Sequence, residues 1–259
     1  SNTYLPVDFA DELLATYEHD FARQEVAGEF IDDAFGQLIP DDWIDRVPLY
    51  DRPARKGHAY AGLDLGEGVG RDHTVEAVLD DAGILGLKGS PWVDIAAAAT
   101  MVKRAHDAWN IRPGRHAHDA GGKGKTLNKY LEPYQIESAA YHGGAPSKGK
   151  WYNRRARSAF KLKTRLDPEL PVDVDPGERP RDPWKADRPA AVKIQPPFGI
   201  PKDDRAWWPR LAEELRAIRY EVVGGKFKLE KKEIMADRLG RSPDCVDSLL
   251  VAMSVGDAV

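Results

Sequence analysis

Three places in this 259-residue sequence put a carboxylate where an element of secondary structure gives way to a loop. Asp64 closes an alternating segment that begins near Tyr60, Asp119 closes His116-Ala117-His118-Asp119, and Asp244 with Asp247 opens a mostly apolar run reaching Met253. Aspartates are hard oxygen donors, better suited to Mg²⁺ or Mn²⁺ than to zinc. In an open α/β sheet functional groups gather at strand ends, so neighbouring parallel strands would bring Asp64 and Asp119 to one edge. Asp244 and Asp247 are three apart, which puts them on one helical face where both can address the same site. Two dications about 3.5–4 Å apart stabilise the attacking and leaving oxygens of an in-line attack on a phosphodiester, and one carboxylate could neither hold nor neutralise such a pair. Singly, each aspartate has an ordinary use as a turn former or as an answer to a helix dipole. The joint pattern is what points to metal-assisted hydrolysis.

The elements that must position these groups follow from periodicity. Phe9 to Phe35 alternates acidic and apolar positions in a helical pattern, and the proline and basic residues of 52–57 interrupt it, which sets a boundary near Gly57. From there Tyr60–Leu65, a Gly-rich turn over 66–70 and Thr74–Leu79 predict a hairpin, with a third strand at Ile84–Leu87. A helix is expected over Ile95–Trp109, a strand at His116–Asp119, a helix at Thr126–Leu131 and a strand at Ile136–Tyr141. This β-α-β alternation favours an α/β class with parallel strands. Trp151–Leu166 reads as a helix, 167–204 as a proline- and charge-rich surface insertion, and Leu211–Ile218 as a helix. Two strand arms then turn about Gly224-Gly225. The last helix is expected to start with Ser242 as its cap and Pro243 at its first position.

Composition limits the partners. A net charge of −4 is no general basic coat, so contact with a polyanion must come from a local cluster. The best candidate is Lys148 to Arg165, where Lys148, Lys150, Arg154, Arg155, Arg157, Lys161, Lys163 and Arg165 occur without an acidic residue among them. Such a stripe, with Trp151 and Tyr152 interleaved, would hold backbone phosphates without reading sequence. Lys226, Lys228, Lys231 and Lys232 form a weaker cluster. No apolar run approaches the roughly 20 residues of a membrane span, and no secretory signal is expected. Cys245 is the single cysteine, and His116 and His118 have no partner at zinc spacing. Gly121-Gly122-Lys123-Gly124-Lys125-Thr126 approaches a phosphate-binding P-loop, but Asp119 stands where that motif requires its first glycine, so ATP binding is not expected.

The acidic segments resemble a known family. Gly62-Leu63-Asp64-Leu65-Gly66 with Asp72-His73-Thr74, then His118-Asp119-Ala120-Gly121-Gly122, then Gly240-Arg241-Ser242-Pro243-Asp244-Cys245-Val246-Asp247 are similar in order and spacing to the three acidic motifs of tailed-phage large terminase nucleases. Tyr152 to Ala156 and Leu215 to Tyr220 look like intervening family segments, Lys232 falls where the family often has a lysine, and Tyr17 to Phe30 is similar to the stretch that ends the family's ATPase region. The resemblance implies a ribonuclease H-like fold, a mixed central sheet flanked by helices. It also implies a two-metal endonuclease cutting concatemeric double-stranded DNA, with Asp64, Asp119 and Asp247 as ligands and Asp244 in support, although which of the last two is the essential third carboxylate stays open. It further implies residues 1–56 as the end of an ATPase region, 57–259 as the nuclease domain, the portal, the small subunit and other large-subunit copies as partners, and the host cytoplasm as location. A silent DNA-gripping or portal-docking module, or another enzyme of the same fold such as a resolvase or transposase, are the competing readings.

Overall fold

The computed structural model describes residues 36–45, 57–66, 72–81, 83–91, 93–166 and 207–255. The helical pattern of 9–35, the family-like segment of 17–30, the stretch before Gly57, most of the Gly-rich turn and the insertion near 167–204 lie outside those residues. The chain divides into two compact units, residues 1–36 and 37–259. In the larger one, Leu38, Ile39 and Ile44 are buried in the main core, the last on a short helix α1 (Asp41–Asp45).

Small and apolar residues make β1 (Tyr60–Asp64) a central strand, buried at every position. It pairs antiparallel with β2 (His73–Asp80), which pairs antiparallel with β3 (Gly83–Pro91). On its other side β1 runs parallel to β4 (His116–Asp119), and β4 parallel to β5 (Ala139–Tyr141). The sheet order is therefore β3-β2-β1-β4-β5, with the C-terminal ends of the three parallel strands on one edge.

Side-chain alternation along β1 divides the packing between two faces. Leu63 packs with Ala98, Ala99 and Val102 of α2 (Ile95–Trp109) and with Leu127 and Leu131 of α3 (Leu127–Leu131). Asp94 caps α2 by accepting the Ala97 N–H at 2.7 Å. On the opposite face Gly62 admits the last helix, since a Cβ there would stand 2.2 Å from the Ala252 nitrogen and 2.4 Å from the Ser248 carbonyl oxygen. That helix, α7 (Asp244–Met253), is buried at every residue. At about 1.5–3 kcal/mol for each large apolar side chain fully buried, Leu249, Leu250 and Val251 anchor it in the core.

The remaining helices are α4 (Arg154–Leu166), α5 (Trp207–Ala217) and α6 (Lys232–Leu239). A hairpin of β6 (Arg219–Val223) and β7 (Lys226–Leu229) turns at Gly224-Gly225, both at positive φ as its two-residue turn demands. Three expectations shift. Helix α4 starts at Arg154 because the Tyr152 N–H donates to Phe227 and the Lys150 carbonyl accepts from Phe227, tying Trp151 to the hairpin. The strand expected from Ile136 shortens to Ala139 because the Ser138 N–H is taken by the Asn128 side chain. Ser242 does not cap α7: Pro243 holds the cap position without a side-chain hydrogen bond.

Candidate metal centre

At the edge where β1 and β4 end, a cleft of about 570 Å³ is lined by Asp64, Asp72, Asp119, Asp244 and Lys232, with Gly121 and Gly122 on one wall. Parallel pairing of β1 with β4 brings Asp64 and Asp119 there as expected. The close seat of α7 on Gly62 brings the first turn of that helix to the same place. The Asp119 Oδ1 accepts the Gly121 N–H at 3.1 Å.

The carboxylates gathered here act on one another. Burial, together with Asp247, Asp244 and Asp119, pushes the Asp64 carboxyl well above the ordinary carboxylate range, against the pull of Lys232. Burial would likewise push Asp247 up, but Lys232 and Arg155 outweigh it and hold that carboxyl below its ordinary value. Lys232 Nζ stands 2.7 Å from Asp247 Oδ2 and Arg155 Nη2 donates to Asp247 Oδ1 at 3.3 Å. Burial would lower the Lys232 ammonium, yet Asp247 and Asp64 together hold it above its usual pKa. Asp247 thus has a cation on each oxygen, Lys232 on Oδ2 and Arg155 on Oδ1. Asp247 is not itself among the residues lining the cleft; it meets Lys232, which is.

Asp244, one turn earlier, is enclosed differently. Its Oδ2 accepts from Arg210 Nη2 at 2.8 Å and from the His73 N–H at 2.9 Å. Burial raises its pKa, with the Ser242 hydroxyl, the His73 N–H and Arg210 pulling the other way. Arg210 also donates to Glu214 at 3.0 Å and to the Ser242 carbonyl at 3.2 Å, and its guanidinium lies over the Trp207 ring. Glu214, fully buried, accepts the Val246 N–H at 2.9 Å and so answers from α5 a first-turn donor that Pro243 cannot. Burial pushes its carboxyl up to about 7, against Val246, Arg210 and Arg241.

Arg210 and Glu214 were not singled out by sequence reasoning: their i,i+4 spacing signals a helical pair, but their partners at the site lie 34 and 32 residues further along the chain. The basic stripe divides. Lys148, Lys150 and Arg154 are exposed, whereas Lys161 is buried and Arg165 turns inward to the Tyr60 hydroxyl and, at 2.6 Å, to the Asp80 carbonyl. Arg155 was expected to hold backbone phosphates with the rest of the stripe; its guanidinium instead donates to Asp247 and joins the carboxylate cluster. His116 and His118 are both buried on β4, sharing the Ser138 hydroxyl at 2.6 and 2.8 Å, with Glu76 at 3.2 Å from His116. Burial and His116 lower the His118 pKa to about 4.

The donor set suits hard divalent cations: all-oxygen, anionic and mutually repelling. Among the described residues no three Asp, Glu, His or Cys side chains stand close enough to enclose an ion by themselves. Magnesium commonly keeps several waters and takes one or two carboxylates plus substrate phosphate oxygens.

No protein-family model and no curated protein matches this chain. Among solved structures it is similar to the nuclease domain of the large terminase subunit gp2 of bacterial virus Sf6, at 20% identity and a TM-score of 0.60, over 84% of this chain and 98% of that one. A mutant form of that subunit's gp2c with calcium gives 0.63 at 19% identity, over 84% and 99%. A mutant nuclease domain with manganese and beta-thujaplicinol gives 0.62 at 18% identity, over 84% and 98%. At these identities the likeness is one of fold. The chain has the ribonuclease H-like fold of those domains, a mixed five-stranded sheet flanked by helices.

Proposed function

We propose that this chain is the nuclease domain of a phage large terminase, a Mg²⁺- or Mn²⁺-dependent endonuclease that cuts concatemeric double-stranded DNA with two ions. The observation that supports it most is the convergence of Asp64, Asp119 and Asp244 on one cleft, with Asp247 behind Lys232 close enough to raise the Asp64 carboxyl. Carboxylates that repel one another are costly unless a cation belongs among them. A silent DNA-gripping module would give that convergence no purpose.

In this reading Asp64, Asp119 and Asp247 hold the ions and Asp244, fixed by Arg210 and His73, supports the first turn of α7. When bound, the ions neutralise the charge that develops on the attacking and leaving oxygens. Lys232 and Arg155 balance the cluster's negative charge. The exposed Lys148, Lys150 and Arg154 follow β5 at the same sheet edge and would hold duplex phosphates, which carry no sequence information. Residues 1–56 would be the end of an upstream ATPase region, and the portal, the small terminase subunit and other large-subunit copies the partners in a motor working in the host cytoplasm. Among the described residues no helix is long and apolar enough to cross a membrane. Supercoiled plasmid incubated with the protein should be nicked with Mn²⁺ or Mg²⁺ and stay intact with EDTA. Undiminished cutting in excess chelator would overturn the metal dependence, and no cutting with either ion the nuclease itself.

A further inference from the structure

The Gly121–Thr126 segment, unsuited to a nucleotide triphosphate by its sequence, has a place in the structure that the carboxylates leave unexplained. It follows Asp119 directly as a 3-10 turn (Gly122–Thr126) that leads into α3. Gly121 and Gly122 face the cleft with no side chain to keep a polymer backbone away. Gly124 is the pivot: a Cβ there would stand 1.8 Å from the Asp119 carbonyl oxygen, so only glycine lets the turn seat on the strand end. Gly124, Leu127 and Leu131 point inward, while Lys125 and Lys129 are exposed on the other face. Lys123 is half-buried, with Nζ 3.5 Å from the carbonyl oxygen of Gly66, which also lines the cleft. From Ala120 to Leu131 there are three lysines and no acidic residue.

A polyanion approaching a floor of aspartates is repelled unless fixed cations stand at the rim. The seating of Gly124 fixes the backbone of the turn beside Asp119, so Lys123 and Lys125 leave it at a set offset from the strand end. We infer that the Gly121–Thr126 turn is a phosphate-backbone grip for the DNA strand beside the scissile bond, with Lys123 and Lys125 as its phosphate contacts and Lys129 extending it along the strand. This rests on the nuclease reading above. It makes the turn a wall of the substrate channel, opposite in origin to the Lys148–Arg154 loop, with both loops leaving the same edge of the sheet.

The test is binding of a short fluorescein-labelled DNA duplex in Ca²⁺, measured against salt for the wild type, Lys123→Ala/Lys125→Ala and Lys125→Glu, with Mn²⁺ affinity measured without DNA. Every lysine–phosphate pair that a substitution removes should lower the slope of log affinity against log salt by about 0.9, so by about 1.8 for the double variant. Mn²⁺ affinity should stay within about twofold of wild type, because in this inference both lysines act on the DNA backbone and not on the ions. ATP should not displace the duplex. Variants whose slope is unchanged from that of a wild type that binds and cuts overturn the grip and leave the nuclease reading standing. ATP binding that the same substitutions abolish would reassign the turn to nucleotide. A wild type that neither binds nor cuts DNA overturns both.

Discussion

Asp244 and Asp247 are one helical turn apart, yet their surroundings are of different kinds. Around Asp244 the polar groups form a closed set: Arg210 and the His73 N–H meet its Oδ2, Glu214 meets Arg210, and Val246 meets Glu214. Around Asp247 there are two cations, Lys232 on Oδ2 and Arg155 on Oδ1, and the Asp247 charge in turn raises the Asp64 carboxyl. The first set ties the helix start to α5 and β2; the second ties it to Lys232, which lines the cleft, and to Asp64. In the nuclease reading proposed above, the difference separates scaffold from chemistry on a single helix.

The comparison is sharpest at Asp64. Asp64→Asn should cut cleavage by at least roughly 10³-fold, since several kcal/mol of transition-state charge stabilisation depend on the ions. It should not lower Tm, because the substitution removes a buried charge that its neighbours already disfavour. A variant that cuts normally, or is inactive only because it unfolds, would break the distinction.

On the closed side, Arg210→Ala leaves Asp244 and Glu214 buried without their shared cation and should cost roughly 3 kcal/mol of stability in denaturant unfolding. A loss under about 1 kcal/mol would show the network to be decorative.

The same network has a pH signature. Glu214 is pushed up to about 7 in the folded protein from an ordinary 4.5. A raised folded pKa means the folded state binds the extra proton, so this group's stabilisation is present below about 4.5 and is lost as pH rises through about 7. The stability of the wild type relative to Glu214→Gln should therefore fall by roughly 2–3 kcal/mol between those limits. A pH-independent difference would mean that Arg210 and Arg241 keep Glu214 ionised throughout.

The smallest effect concerns the exposed arm of the basic stripe. Replacing Lys148, Lys150 and Arg154 with alanine should lower the salt slope of duplex binding by about 0.9 for each phosphate no longer neutralised, without changing Mn²⁺ affinity. Arg155→Ala should behave otherwise and disturb metal affinity, since its guanidinium meets Asp247 rather than solvent.

What could be read from the sequence was what has a period or a local motif. The bounds of α2, the hairpin about Gly224-Gly225 and the parallel placement of Asp64 beside Asp119 follow from alternation, caps and turn residues. The failures share one physical cause. Ser242 is a good cap by type, but Glu214 from another helix reaches Val246 first and leaves the serine to Asp244. Arg155 sits in a run of basic residues that looks uniformly solvated, and only the docking of α4 beside α7 turns it inward. Such long-range choices leave no periodic trace, so Arg210 and Glu214, arriving after the insertion, were silent until the chain was folded.

The most direct test of the difference between the two carboxylates is the cleavage rate of Asp247→Asn and Asp244→Asn across a Mn²⁺ titration, with Tm measured alongside. Asp247→Asn should be inactive at every Mn²⁺ concentration while remaining folded, its Tm lowered because Lys232 and Arg155 lose their shared carboxylate, whereas Asp244→Asn should retain measurable cutting and lose stability through Arg210. A folded Asp247→Asn that cuts like the wild type, beside a folded but inactive Asp244→Asn, would contradict the account and move the third ligand one turn back along the helix.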